Sequence, residues 1–408
     1  MRNIAKLMKD WQFTGPDGVT AAVALPHTWN AKDGQDGGND YWRGTCTYCT
    51  SFAAPAYDSA QQQVWLQFEG VNASATVLLN GQKICAHDGG YSTFRAEITE
   101  LLQAENQLAV QVDNSVNDRV YPQKADFTFY GGIYRDVSLL VVNKNHIALG
   151  HFGDTGVKIT PDLKEGSADI QVETLVEGEG TVAVELLDAE GNSVARSEGT
   201  KASLHLDAPH LWNGVKDPYL YTCVVRLMQD GKPVDEVTTK VGIRSFSVDA
   251  KKGFFLNGKP YPLHGVSRHQ DRKGLGNAIT REMHDEDMAL IRELGATTVR
   301  LAHYQHDQYF YDLCDQYGMV VWAEIPYISE HLPNGRENTI SQMKELIHQN
   351  YNHPSIVCWG VSNEITISTK DKADMLDNHR VLNELCHKMD PTRLTTLACY
   401  AMCGPFNP

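Results

Sequence analysis

Polar side chains follow four predicted strands in the last third of the chain, at the point where each strand ends. In chain order they are Ser267–His269 after the first strand, Arg300 and His303 with the second, Trp322 and Glu324 with the third, and Asn363 and Glu364 with the fourth. Parallel strands bring their carboxyl ends to one edge of a sheet or one mouth of a barrel. A lone histidine at a strand end is usually a structural hydrogen-bonding group, but four consecutive strands that end this way predict a shared site.

The chemistry of this set suits a neutral ligand that carries many hydroxyl groups. It offers carboxyls, imidazoles, an amide and an indole, but neither a lysine nor a nucleophilic serine motif. Glycoside hydrolysis needs one carboxyl group to protonate the leaving oxygen and a second to act as nucleophile or base. Glu364 is the candidate acid, and Asn363 is suited to donate to a sugar 2-hydroxyl. The alternative is structural, with Asn363 capping a loop and Glu364 solvated at the start of a helix.

Strands and helices alternate strictly from residue 250 onward. The apolar run Ile356–Ser362 predicts a buried parallel strand, and the period of apolar residues between Met283 and Gly295 predicts a helix that ends at the glycine. Further strands are predicted at 261–266, 297–301, 319–323 and 394–398, and further helices at 307–317, 337–351 and 370–389. This alternation indicates a parallel sheet, either open or closed into a barrel. No glycine-rich dinucleotide fingerprint follows the first strand, which argues against a Rossmann domain.

The preceding residues are predicted to form strands almost throughout. Within residues 1–140, apolar and polar residues alternate at 64–68 and 108–112, and Asn80-Gly81 suits a type I′ hairpin turn. Many short strands with polar turns indicate a sandwich or jelly roll. Residues 145–247 repeat this character with about seven strands, which fits an immunoglobulin-like sandwich.

Composition narrows the classes of partner and the compartment. Among 408 residues, 51 are acidic and 36 are basic, a formal net charge of −15, which disfavours nucleic acid and anionic membrane surfaces as partners. The first residues lack the apolar core of a signal peptide, and no apolar run is long enough to span a membrane. The nine cysteines are scattered, so we expect free thiols and a cytoplasmic location. The isolated Cys46-Thr-Tyr-Cys49 predicts neither a redox nor a metal site.

Several segments, in a fixed order along the chain, together identify a known family. They are Leu25-Pro-His-Thr-Trp29, Tyr41-Trp-Arg-Gly44, Asp126-Phe-Thr-Phe-Tyr-Gly-Gly-Ile-Tyr-Arg-Asp-Val137, Leu211-Trp-Asn-Gly-Val-Lys-Asp-Pro218, His264-Gly-Val-Ser-Arg-His269, Val299-Arg-Leu-Ala-His-Tyr304, Asn352-His-Pro-Ser355, and Asn363-Glu364 after Trp359-Gly-Val-Ser. These segments resemble glycoside hydrolase family 2, most closely its β-galactosidase branch, and Asn363-Glu364 resembles the acid/base signature of that family. The resemblance implies a jelly-roll sugar-binding domain at 1–143, an immunoglobulin-like β-sandwich at 144–247 and the first half of a (β/α)8 TIM barrel at 248–408.

The same resemblance implies retaining hydrolysis of terminal β-galactosides, with Glu364 as general acid and then general base. The residues implied to contact substrate are Asn363 at the 2-hydroxyl, His269 and His303 in the sugar pocket, and Asp126 from the first domain. Trp322 would either supply an apolar wall of the pocket or pack inside the barrel. Arg300 would either contact the substrate or orient a neighbouring carboxylate, and we favour the second role. β-Glucuronidase, from the same family, and a non-catalytic carbohydrate-binding protein are the alternatives. The resemblance also implies that the protein forms a homo-oligomer.

Two positions depart from the family pattern. Glu330 and His331 are adjacent, whereas family members with a divalent metal near the acid have a Glu and a His two residues apart, so we expect neither a metal nor another cofactor. The family nucleophile comes from the seventh barrel strand, and the predicted elements here reach the fifth. We therefore expect these residues to be part of a longer polypeptide and to be inactive by themselves.

Overall fold

The computed structural model describes residues 1–33 and 41–402. In the first part of the chain, two antiparallel sheets face each other across an apolar core. The four-stranded sheet contains Asn3–Lys6, Gln62–Phe68, Phe94–Glu97 and Val137–Asn143. The six-stranded sheet contains Trp11–Thr14, Thr20–Val23, Thr45–Ala53, Ser74–Leu79, Gln82–Asp88 and Glu105–Asp113. Short elements at Val71–Asn72, Thr99–Leu101 and Gly132–Ile133 complete this jelly-roll sandwich.

Alternation within the strands builds this core, as predicted. Val64, Leu66 and Phe68 are buried between the sheets, where they meet Leu108 and its neighbours from the facing sheet. The predicted hairpin is confirmed, because Asn80 and Gly81 both have positive φ, 51° and 82°, as a type I′ turn requires.

A second sandwich follows, with seven main strands in two sheets. One sheet contains Val157–Lys164, Ser167–Thr174 and Lys201–Asp207, and the other contains Thr181–Leu187, Ser193–Glu198, Tyr221–Gln229 and Lys232–Val241. His146–Ile147 pairs with Val176–Glu177 beside them, and Gly214–Lys216 is a 3-10 turn. The predicted immunoglobulin-like architecture is confirmed.

The last part of the chain is a parallel sheet with helices, preceded by a small antiparallel sheet of Phe246–Asp249, Gly253–Leu256 and Lys259–Pro260. The barrel strands, first to fifth, are Gly265–Arg268, Thr298–Leu301, Val320–Glu324, Ile356–Asn363 and Leu394–Ala398, hydrogen-bonded in that order and all parallel. The helices between them are α1 (Arg281–Glu293), α2 (Gln308–Tyr317), α3 (Arg336–Asn350) and α4 (Lys372–Met389). This agrees with the predicted partial TIM barrel.

The predicted strand at 261–266 was wrong in its position. Parallel pairing begins only at Gly265, opposite Thr298, and Leu263 is 45% exposed. Tyr261 belongs instead to a cluster with Trp212 and Phe254 beneath the barrel, where its apolar ring is buried. The apolar pattern at 261–263 therefore reflects a contact between domains and not a barrel strand.

Glycines end two helices as predicted. Gly295 and Gly318 have φ of 73° and 75°, in the left-handed region that other residues rarely adopt. A Cβ at Gly318 would lie 2.2 Å from the backbone of Gly214, which belongs to the connection between strands Lys201–Asp207 and Tyr221–Gln229 of the second sandwich. At Gly295 nothing lies within 4 Å of the corresponding position. Gly318 therefore serves the packing of two domains as well as the end of a helix.

The two faces of the barrel sheet carry different residues. Val299, Val321 and Trp359 are buried in the core that the sheet forms with the helices. Arg300 and Trp322 occupy the intervening positions and are paired in the register, so they face the barrel interior. Within the described residues, no helix is both long and apolar enough to cross a membrane.

All cysteines within the described residues are free thiols. Cys46 and Cys49 lie on one strand, three residues apart, so their side chains point to opposite faces of the sheet.

Candidate active site

A charged network connects the ends of the second, third and fourth barrel strands. Arg300 Nη2 donates to Asn363 Oδ1 at 2.7 Å and to Glu324 Oε2 at 3.0 Å. His303 Nδ1 lies 2.9 Å from Glu324 Oε1. Glu324 is fully buried, so its charge depends on these two partners in place of water. The network therefore uses both oxygens of Glu324 and fixes the amide of Asn363.

Trp322 lies beneath this network on the inner face of the sheet. The guanidinium carbon of Arg300 stands 4.4 Å from the centre of the indole ring. The neighbouring strand makes room with Gly360, where a Cβ would lie 2.5 Å from both Trp322 Nε1 and Glu324 Cβ. Trp322 thus packs inside the barrel under Arg300, which is one of the two placements expected from the sequence.

The fourth strand presents Asn363 and Glu364 through an irregularity in its pairing. The register with the fifth strand shifts between Gly360 and Asn363, and Glu364 has a φ of 48°. A non-glycine residue in this left-handed region is strained, and such residues are concentrated at functional sites. Glu364 N donates to Ala398 O at 2.8 Å, which holds the turn.

The side chains of Asn363 and Glu364 differ in the hydrogen bonds that they form with the rest of the protein. Asn363 is 4% exposed, and its Oδ1 accepts from Arg300, which leaves the Nδ2 amide to donate to a ligand. Glu364 is partly exposed, and its carboxylate accepts no hydrogen bond from residues 1–33 or 41–402. The site therefore offers a fixed amide donor next to a carboxyl group free to react.

Aromatic rings form one side of the site. Phe127 comes from the first domain, and its ring centre lies 4.9 Å from that of His269 and 5.9 Å from that of His303. His269 Nδ1 is 3.3 Å from the Tyr304 hydroxyl. Burial, and then the proximity of His303, lower the pKa of His269, so its imidazole is neutral at neutral pH.

Asp126 is exposed and precedes Phe127 in the chain. The ring of the neighbouring Phe127 lies against His269, and the negative charge of Asp126 opposes the lowering of the pKa of that histidine. A loop of the first domain thus reaches the strand ends of the barrel. The structure brings six of the seven predicted site residues into one group around the strand ends and places Trp322 just beneath them.

The contribution of three residues was not predicted from the sequence. Glu324 was recognised as a strand-end acid but not as the partner of Arg300 and His303. Phe127 and Tyr304 lie within segments that carry the family resemblance, yet no role was predicted for either. Their adjacency to predicted residues in the chain was the only available signal.

Some family members hold a divalent metal ion near the acid, but the residues at the corresponding position of this chain do not suit a metal ion. His331 Nδ1 lies 2.6 Å from the Tyr327 hydroxyl, and Nε2 lies 2.7 Å from Asp374 Oδ2. Both ring nitrogens are therefore engaged within the protein. Glu330 and His331 do not offer the ligand pair that a divalent ion near Glu364 would need.

Three family models match consecutive parts of the chain. "Glycosyl hydrolase 2 galactose-binding domain-like" matches residues 35–166, "Glycosyl hydrolases family 2" matches 151–244, and "Glycosyl hydrolases family 2, TIM barrel domain" matches 247–404. Together they follow the order of the two sandwiches and the barrel.

Individual relatives carry two different activity names. A β-glucuronidase of Bacteroides fragilis is 39% identical over 96% of this chain and 60% of its own length. A β-galactosidase of Thermoanaerobacter pseudethanolicus is 32% identical over 82% of this chain and 46% of its own length. The crystal structure of an FMN-binding β-glucuronidase from Facaelibacterium prausnitzii L2-6 matches with a TM-score of 0.95 and 42% identity, covering 98% of this chain and 64% of that one.

The chain thus spans about three fifths of the length of the B. fragilis relative. Matches to three models of one family, in the order of the observed domains, agree with the segments recognised in the sequence. The chain belongs to glycoside hydrolase family 2.

Proposed function

We propose that the complete protein hydrolyses terminal β-glycosides with retention of configuration, and that Glu364 is its general acid and base. The observation that supports this most directly is the carboxyl group of Glu364, which accepts no hydrogen bond from the described residues, next to Asn363, whose orientation Arg300 fixes at 2.7 Å. In a retaining mechanism the acid first protonates the leaving oxygen and then, as a base, activates the water that releases the sugar. Asn363 Nδ2 donates to the sugar 2-hydroxyl in this scheme.

Other residues of the chain position these two groups and the sugar. Arg300 acts through Asn363 and Glu324 and is a positioning residue. Phe127, His269 and His303 form a wall against which an apolar face of a sugar ring packs. Asp126 accepts from a sugar hydroxyl. The second carboxylate comes, by the family pattern stated above, from a later strand of the barrel.

We propose a β-D-glucuronide as the first candidate substrate. The B. fragilis and F. prausnitzii relatives, at 39% and 42% identity, are both named β-glucuronidases. The second candidate is a β-D-galactoside, which the resemblance of Gly131–Val137 favours and which the 32% identical T. pseudethanolicus relative supports by its name.

Parallel kinetics of the complete gene product on nitrophenyl β-glucuronide and nitrophenyl β-galactoside distinguish these candidates. We expect the larger kcat/KM on the glucuronide. A larger value on the galactoside selects the second candidate. Calorimetric binding of either sugar without turnover of either glycoside would refute hydrolysis and support a carbohydrate-binding protein.

The role of Glu364 is tested by leaving-group dependence. Glu364→Gln should reduce kcat/KM by about 100-fold to 10,000-fold on alkyl glycosides, whose leaving group needs a proton. On dinitrophenyl glycosides the first step should be nearly unaffected, because this leaving group departs without protonation. Glu384→Gln on α4 is the matched control, since Glu384 is exposed and pairs with Arg380 on the same helix. Equal losses on both substrate classes would exclude the acid role.

A further inference from the structure

A second group of polar side chains lies at the junction of the three domains. It involves the loop 150–156, which enters the second sandwich, and the end of α3. Gln349 on α3 donates to Phe152 O at 2.7 Å and, in the first domain, to Thr93 O at 2.9 Å. Arg95 Nη1 donates to Leu149 O at 2.9 Å and to Asp154 O at 2.6 Å. The loop is therefore held from two sides.

Three potential metal ligands meet at this junction. His151 Nδ1 lies 2.9 Å from Asp154 Oδ2, and His348 Nδ1 lies 3.6 Å from the same oxygen. One ligand atom from each residue lies within 4.8 Å of the others. Gly156 N donates to Asp154 Oδ1 at 2.8 Å, so the carboxylate presents Oδ2 to both imidazoles.

Two imidazole nitrogens and one carboxylate oxygen form a ligand set typical of Zn²⁺. With metal–ligand bonds of about 2.0–2.2 Å, the ligand atoms of a tetrahedral site are separated by about 3.3–3.6 Å. The His348–Asp154 separation of 3.6 Å is at the upper end of this range and the His151–Asp154 separation of 2.9 Å is below it, so a small rotation of His151 would bring the atoms to bonding distance. The side chains of His151 and His348 are 35% and 27% exposed, which leaves access for a water molecule as fourth ligand.

Packing fixes the orientation of the His348 ring. The ring of Phe152 stacks on it at a centre-to-centre distance of 4.7 Å. The ring centre of His151 lies 4.3 Å from that of His348.

The other comparable group, Asp312, Asp315 and His353, is less suited to Zn²⁺ because it offers two carboxylates and one imidazole in place of two imidazoles and one carboxylate. Asp315 Oδ1 accepts from Ser355 N at 3.1 Å, and Oδ2 lies 2.6 Å from His353 Nδ1. Although burial alone would lower the pKa of His353, the Asp315 carboxylate outweighs it and raises the pKa. His353 thus acts as the hydrogen-bonding partner of an aspartate, and it provides a control.

We propose that His151, Asp154 and His348 bind one divalent transition-metal ion of the Zn²⁺ class, which ties the loop 150–156 to α3. The end of α3 leads into the start of the fourth barrel strand, so this site lies at the opposite end of the barrel from Asn363 and Glu364. Its role is structural, and it is independent of the glycosidase proposal. The expectation that the protein carries no metal, drawn for the surroundings of Glu364, does not extend to this junction.

Calorimetric titration of the full chain with Zn²⁺, after treatment with a chelator, tests this site. The visible absorption spectrum of Co²⁺ bound in place of Zn²⁺ shows whether nitrogen atoms coordinate the ion. We expect one equivalent to bind, and His348→Gln and Asp154→Asn to weaken binding by at least about tenfold. His353→Gln should bind as the unmodified chain does. If circular dichroism shows that His348→Gln is misfolded, His151→Gln at the more exposed edge replaces it.

Three results would overturn the proposal. These are no saturable binding of Zn²⁺, unchanged affinity in the folded variants of the junction, and loss of binding in His353→Gln alone. Since Zn²⁺ affinity is measured without substrate, failure here leaves the glycosidase proposal untouched, and the converse also holds.

Discussion

Arg300 neutralises a carboxylate that has no access to water, so its removal should destabilise the barrel strongly. In the native protein the side chain of Glu324 is 0% exposed and that of Arg300 is 19% exposed, with Nη2 2.9 Å from Oε1. Arg300→Met keeps the approximate length of the side chain and its packing over Trp322 but removes the charge. Among residues 1–33 and 41–402, the carboxylate of Glu324 is then left with His303 as its polar partner.

The size of the effect follows from this environment. Removing one partner of a buried ion pair costs about 3–5 kcal/mol of folding free energy, because the other charge stays buried without compensation. His303 remains at 2.9 Å from Glu324 Oε1 and Arg300 is partly exposed, so the lower end applies, about 3 kcal/mol. Adding Glu324→Gln to Arg300→Met should recover part of this loss, since a neutral amide needs no counter-ion.

Urea unfolding followed by tryptophan fluorescence measures the change, because Trp322 and Trp359 lie in the barrel. For an m-value of about 1–3 kcal/mol per molar urea, the midpoint should fall by about 1 M or more. Arg380→Met on α4 is the matched control. Its pairs with Asp377 and Glu384 are exposed, so the expected change is below about 1 kcal/mol. A change below about 1 kcal/mol in Arg300→Met at unchanged m-value would refute the reasoning.

Three further predictions concern the contacts between domains. Phe127→Ala should raise the KM of the complete protein for aryl glycosides by about threefold to tenfold with little change in kcat, because an aromatic wall is lost; an unchanged KM would remove this ring from the site. Burial, together with nearby aspartates, raises the pKa of Glu69 to about 7. On Glu69 the folded protein therefore holds a proton that the unfolded chain has lost, so the contribution of this group to stability falls as pH rises from about 4.5 to 7. Glu69→Gln should remove this contribution, so the stability of the variant relative to the unmodified protein should be higher at pH 8 than at pH 5; an equal difference in unfolding midpoint at the two pH values would contradict this. Gly318→Ala should destabilise by at least about 1 kcal/mol more than Gly295→Ala, since the φ angles are alike but only Gly318 contacts the backbone of Gly214; equal unfolding midpoints in urea would contradict this.

Local features of the chain were predictable because they depend on neighbouring residues. The turn at Asn80-Gly81 needs only two positive φ angles, and Gly318 ends α2 for the same backbone reason. The strand Ile356–Asn363 was predictable from its run of apolar residues, and the position of its end was predictable from the polar residues that follow the run. The first barrel strand was misplaced because the apolar Tyr261 is buried by another domain, which periodicity along the chain cannot distinguish from a strand.

The sequence by itself determined the elements, their order, the family and the strand ends that carry Asn363 and Glu364. Only the tertiary structure decided which groups touch. Arg300 contacts Asn363 because of strand register, although 63 residues separate them, and Phe127 reaches the barrel because the first domain docks there. The meeting of His151 with His348 also depends on docking. Propensity and periodicity act over a few residues, whereas register and docking are set by packing between distant segments, and no local pattern records them.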